Sequence, residues 1–213
     1  MLRCCYVAIV IVMCGQPISA KAEGEHSRRA ATELLVLNGD IQKLANKKLS
    51  GLHIKGLKDR IGGGLAGLEI LLRLADQEAG RKPVDYTLDL KIIRKSWLTH
   101  DLASMASGLD KLLTIHPYNG SGIRPGKATK AALATAENLH EELCAACHDE
   151  PDLDVSRPAF NLFKEVQRLP ANEFAARMMV GVRGDRVTGI DNPLSDTQIS
   201  ALIYYYKTTS LSE

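Results

Sequence analysis

The sequence predicts an all-α protein in two parts, a bundle of helices followed by a second helical unit. Three observations lead there. Apolar residues recur three and four apart along most of the chain, the spacing of one face of a helix. Aromatic residues make up only 5% of the chain, which argues against an aromatic-rich β-sandwich or a base-stacking surface. With 213 residues, 45% of them hydrophobic and 24% charged, the chain can bury one large core or two small ones. Its 27 basic and 25 acidic residues give a formal charge of +2, no footprint for nucleic acid.

Residues 1–22 read as an export signal outside the fold. Arg3 is a short positive start, Cys4 to Met13 an apolar stretch too short to span a bilayer, and Ala20-Lys21-Ala22 a small-x-small cleavage site. Cleavage after Ala20 is the alternative to cleavage after Ala22. An acylated Cys14 is disfavoured, because bulky Met13 stands where a small residue is expected. Arg3 and Lys21 leave with this segment and no acidic residue does, so 25 basic groups balance 25 acidic ones in the mature chain. Of the five cysteines only Cys144 and Cys147 stay. No later apolar run has membrane-spanning length, so a periplasmic or otherwise exported chain that does not span the membrane is expected.

Residues 23–118 hold three helical stretches and no cysteine. Ala31–Lys48 carries Leu34, Leu35, Leu37, Ile41 and Leu44; Leu57–Ala79 carries Leu57, Ile61, Leu65, Leu68, Leu72 and Ala75; Leu90–Ile115 carries Ile93, Trp97, Leu98, Leu102, Met105, Leu109 and Leu112. Breaks fall at Ser50-Gly51, at Ala79–Pro83 and at His116–Gly122, the last being the best linker. Gly62, Gly64 and Gly67 satisfy G-x-G-x-x-G, with Asp85 about twenty residues on. No strand precedes them and the surrounding period is helical, so close helix packing or a helix break is expected instead of a dinucleotide site.

Residues 126–213 form the second unit. A helix is expected over Lys127–Cys144, with Ala132, Ala136, Leu139 and Leu143 on one face. It runs into Cys144-Ala145-Ala146-Cys147-His148, the C-x-x-C-H pattern of covalent haem attachment. Two thiols one helical turn apart can each form a thioether to one porphyrin, and the next histidine can reach the iron from the proximal side. A disulfide alone gives no reason for His148. A thioredoxin-like pair wants a βαβ setting, and a zinc site wants a second Cys/His pair, whereas no histidine follows His148. Further on, Ser195 and Gln198 form a capping-box pattern before Ile199, Leu202, Ile203 and Tyr206, an amphipathic stripe.

On these motifs, residues 126–210 resemble a class I cytochrome c: the C-x-x-C-H run, Arg157-Pro158-Ala159-Phe160 after it, and Leu194-Ser195-Asp196 opening the last helix. The resemblance implies one covalent haem c on Cys144 and Cys147, with His148 as proximal iron ligand. It implies that the Pro158 carbonyl accepts the other ring N–H of His148, and that the first and last helices of the unit cross. The family places a distal methionine in the loop before the last helix, but Gly184–Pro193 contains none. The distal candidates are Met179 and Met178, in a helix ending near Gly181, and Asn192 before Pro193. An open iron, or His53, His100 or His116, is a further option, and His140 is expected to face solvent. A weaker similarity, at the level of a bundle, is to cytochrome c′, but such chains end soon after C-x-x-C-H and this one continues.

The function expected is single-electron transfer between redox partner proteins, some of them membrane-associated. A haem enzyme or a gas- or peroxide-binding cytochrome is the alternative, because the loop methionine is missing. A haem-bearing docking subunit of a larger complex is the third reading.

Overall fold

Two apolar clusters, one drawn from residues 30–112 and one from residues 123–206, organise an all-α protein. The computed structural model describes residues 24–45, 48–82, 84–123, 126, 128–150, 155, 158–183, 189–190 and 192–209. The expected export signal and much of the Gly184–Asp191 stretch lie outside them. Among the described residues the helices are α1 (Glu25–Ala45), α2 (Gly51–Glu78), α3 (Thr87–Leu98), α4 (Leu102–Ile115), α5 (Lys130–Leu143), α6 (Ala145–His148), α7 (Leu162–Arg168), α8 (Ala171–Val180) and α9 (Asp196–Thr209). A two-residue antiparallel ladder joins β1 (Val182–Arg183) to β2 (Gly189–Ile190), Val182 opposite Ile190. None of the helices is long and apolar enough to cross a membrane.

The first cluster is the meeting of stripes visible in the sequence. Leu34, Leu37 and Ile41 of α1 meet Ile61, Leu65, Leu68 and Leu72 of α2, with Leu90 and Ile93 of α3 and Met105, Leu109 and Leu112 of α4 closing the bundle. Each such side chain, fully buried, stabilises by about 1.5–3 kcal/mol before conformational entropy is counted. The glycine run does not break α2, which continues through it. At Gly64 an added Cβ would lie 2.5 Å from Glu33 Oε1 and 2.9 Å from Leu37 Cδ2, so this glycine lets α1 and α2 approach.

The third expected helix, Leu90–Ile115, is two helices. The chain turns at Thr99–Asp101, where His100 takes φ 59°, and Asp101 opens α4 by accepting the Ser104 N–H at 3.0 Å. An aspartate offering its side chain to a helix start competes with helix continuation. As a consequence Leu98, counted in the apolar stripe, is 78% exposed.

At one end of the bundle a buried polar group joins α2, α4 and the loop before α3. Arg81 can only donate, so His116 Nδ1, 2.9 Å from it, is an acceptor and the ring proton sits on Nε2. Nε2 meets the Tyr86 hydroxyl at 2.8 Å, and that hydroxyl donates to Asp76 Oδ2 at 2.6 Å. Arg81 Nε also donates to Asp76 Oδ1 at 2.7 Å. Burial, with the Arg81 charge beside it, holds the His116 ring below its ordinary pKa. Burial would raise the Asp76 carboxyl, but the Tyr86 and Arg81 hydrogen bonds outweigh it and hold that carboxyl low.

The second cluster gathers Ala136 of α5, Phe174 and Ala175 of α8, and Ile199, Leu202, Ile203 and Tyr206 of α9. Helix α5 packs along α9, and Ala136, fully buried, allows the approach. The capping box forms as its spacing suggests: Ser195 N–H donates to Gln198 Oε1 at 2.9 Å and Gln198 N–H to Ser195 Oγ at 3.3 Å.

Charges, not only apolar side chains, join the two parts. Asp40 of α1 is 0% exposed and accepts Arg177 NH1 of α8 at 2.7 Å and Arg60 Nε of α2 at 2.5 Å. Arg177 also holds Glu173 at 2.6 Å. Gly39 makes room, since a Cβ there would stand 2.2 Å from Glu173 Oε1. Arg28 with Asp196, and Lys43 with Glu165, extend the seam.

Candidate functional site

The C-x-x-C-H residues lie at the corner where α5 ends and α6 begins. Cys144 ends α5 and stands just before α6, while Cys147 and His148 fall within the single turn of α6. Both thiols are free; Cys144 is half-buried and Cys147 exposed. Burial pushes the Cys144 thiol up from its ordinary pKa. That is the opposite direction to the lowered thiol pKa of a reactive C-x-x-C redox pair.

His148 is oriented by a backbone carbonyl. Its Nδ1 lies 2.6 Å from the Phe160 oxygen, and a carbonyl can only accept, so the ring proton is on Nδ1. Nε2 keeps its lone pair and bonds to nothing among the described residues. The acceptor expected from the resemblance, the Pro158 carbonyl, is not the one used. Pro158 is buried at the start of the segment, and the chain presents the carbonyl two residues later, immediately before Asn161 caps α7. Asn161 fixes that position twice, accepting the Lys164 N–H at 3.0 Å and donating to the Asp149 carbonyl at 3.3 Å.

His140, expected at the solvent face of α5, is 3% exposed. It sits one turn before Cys144 and turns inward because α9 brings Tyr206 opposite it. His140 Nε2 donates to the Asp149 carboxylate at 3.0 Å, leaving Nδ1 to meet the Tyr206 hydroxyl at 3.1 Å. The same hydroxyl is hydrogen-bonded to the Cys144 sulfur. Burial, followed by the neighbouring Cys144, drives the Tyr206 pKa far up, so its proton stays in place. Rings of Phe163 and Tyr205 pack edge-on and tilted around His140 at 5.2 and 5.9 Å. The α9 stripe gave Tyr206 as a core residue, but nothing in the spacing showed that its hydroxyl would bridge Cys144 and His140.

The three distal candidates have other partners. The Asn192 amide donates from Nδ2 to the Met178 carbonyl, and its Oδ1 accepts the Leu194 N–H at 2.8 Å, an Asx turn that ties the loop to α8. Met178 and Met179 pack against the second cluster, and the Tyr118 hydroxyl donates to Met179 Sδ at 3.5 Å. A cleft of about 530 Å³ between α1, α2 and this region is lined by Met179, Asn192, Leu194 and Ile199 together with Ile70 and Leu74. Of the N-terminal histidines, His100 is exposed, His116 belongs to the buried cluster, and His53 lies against Phe160 with ring centroids 4.5 Å apart.

No protein-family model matches the chain, and neither a curated protein nor a solved structure matches it.

Proposed function

We propose that the chain is an exported c-type cytochrome that carries single electrons between redox partner proteins. The observation behind this reading is the α5–α6 corner: two unpaired thiols one turn apart, followed by an imidazole whose Nδ1 is committed to Phe160 and whose Nε2 is left for a metal. Among the described residues no cluster of three or more His, Cys, Asp or Glu could hold a metal ion. An iron on His148 would need further ligands, which a porphyrin held by the two thiols would supply. A haem held by Cys144 and Cys147 would supply the one-electron couple. Around it, the Phe160 carbonyl fixes the His148 tautomer and raises the basicity of its free nitrogen. The Tyr206–His140–Asp149 set braces the corner that presents Cys144. The balanced charge of the mature chain favours docking by local patches over long-range steering.

Cys147→Ala tests attachment directly. The pyridine haemochrome spectrum of the purified variant is expected to shift from that of a double thioether to that of a single one. An unshifted spectrum would remove the basis of the proposal.

A second reading, a small-ligand-binding cytochrome, is favoured by two observations: Asn192 is engaged at both ends of its amide, and Met179 takes the Tyr118 hydroxyl. Rapid carbon monoxide binding to the reduced native protein would select it. A sulfur-to-iron charge-transfer band with no carbon monoxide response would select the carrier.

A further inference from the structure

We infer that the N-terminal bundle tunes the proximal histidine, acting through the ring of Phe160; the inference rests on the haem reading above and gives the bundle a role within it. Phe160 has two jobs at once. Its carbonyl holds His148 Nδ1–H, and its ring is gripped by two residues from the other part of the molecule. The His53 ring of α2 lies 4.5 Å from it at an interplanar angle of 30°, and Lys43 Nζ of α1 stands 4.3 Å from its centroid. Neither contact is loose. Ser50, the N-cap of α2, accepts the His53 N–H at 3.3 Å, and its hydroxyl lies 2.8 Å from His53 Nδ1, so the helix start itself aims the ring. Lys43 is paired with Glu165 on α7, the helix that begins just after Phe160.

The placement of His53 has a cost that hydrogen bonding does not explain. Its Nε2 is buried and has no partner among the described residues. Buried polar atoms are rarely left so, and here the stacking on Phe160 is what the position provides. Gripping the ring limits rotation of the Phe160 peptide, and that peptide carries the oxygen facing His148. A firm acceptor makes the imidazole a stronger donor to iron and favours the oxidised state, while a looser one favours the reduced state. His53 and Lys43 are thus positioning residues, acting through Phe160 and not on the haem.

The test uses the full-length holoprotein and His53→Ala, with His53→Phe to restore an aromatic face and Lys55→Ala as a solvent-facing change on the same helix. His53→Ala is expected to raise the midpoint potential and to speed solvent exchange of the His148 Nδ1 proton, read by NMR in the reduced state, by up to about tenfold. His53→Phe is expected to return both towards wild type, and Lys55→Ala to leave both unchanged. A purely structural role would lower the melting temperature without moving the potential of the folded protein. Wild-type potential and exchange in folded, haem-loaded His53→Ala would overturn the inference while leaving the cytochrome reading intact. Absence of covalent haem from the wild-type protein itself would overturn both.

Discussion

Tyr206 is fully buried and carries one hydroxyl between two groups that need it, the Cys144 sulfur and His140 Nδ1. Removing it as Tyr206→Phe leaves the packing almost unchanged and takes a partner from each. A buried polar group left without its partner costs about 1–3 kcal/mol. Urea denaturation should show a loss of that size, measured as a lower midpoint without a change in slope. At this scale the candidate residues Cys144, Cys147 and His148 stand out in sequence because their spacing is itself the signal. Their supports were not. His140 and Tyr206 lie 66 positions apart, and only the packing of α5 on α9 makes them neighbours. Phe160 is a bare aromatic in sequence, and its function lies in a backbone oxygen that any residue possesses.

Elements were legible wherever a stripe met a cap. Ser195 and Gln198 announced the start of α9 and the apolar spacing of α1 and α2 fixed their buried faces, whereas α2, expected from Leu57, begins at Gly51, capped by Ser50 where a break was expected. The stretch 90–115 misled because its apolar spacing runs through the Thr99–Asp101 turn, whose signal, a single capping aspartate, is local and short. Glycines of the same run in α2 also differ by environment alone. A Cβ at Gly64 would strike α1, whereas one at Gly67 would meet nothing within 4 Å. Gly67→Ala therefore removes backbone entropy from the unfolded chain at no steric cost. It should stabilise the protein by about 0.5–1 kcal/mol, measured as a shift of the urea midpoint without a change in slope.

For the whole molecule, the Arg81–His116–Tyr86–Asp76 group makes stability depend on pH with a definite sign. His116 has a folded pKa below the ordinary 6.5, through burial and then Arg81, so between the two values the unfolded chain binds a proton that the native one refuses. Its stabilisation is complete above about pH 6.5 and is lost as pH falls below that. Asp76, also depressed, adds a loss only below its ordinary 3.8. Chemical denaturation at pH 7.5 and 5.5 should find the wild type weaker at the lower pH, and His116→Gln should lose much of that difference.

The seam built on Asp40 bears on where this protein can be cut. The glycine-rich stretch around residues 116–126 looks, by composition, like a place to separate the second helical unit from the bundle. Severed there, α8 would present Arg177 and Glu173 to water where Asp40 and Gly39 had covered them, and Phe160 would lose both residues that grip its ring. The border written in the chain is therefore not a border in free energy. A fragment that still folded would carry the C-x-x-C-H corner with its neighbouring loop no longer held from the bundle side.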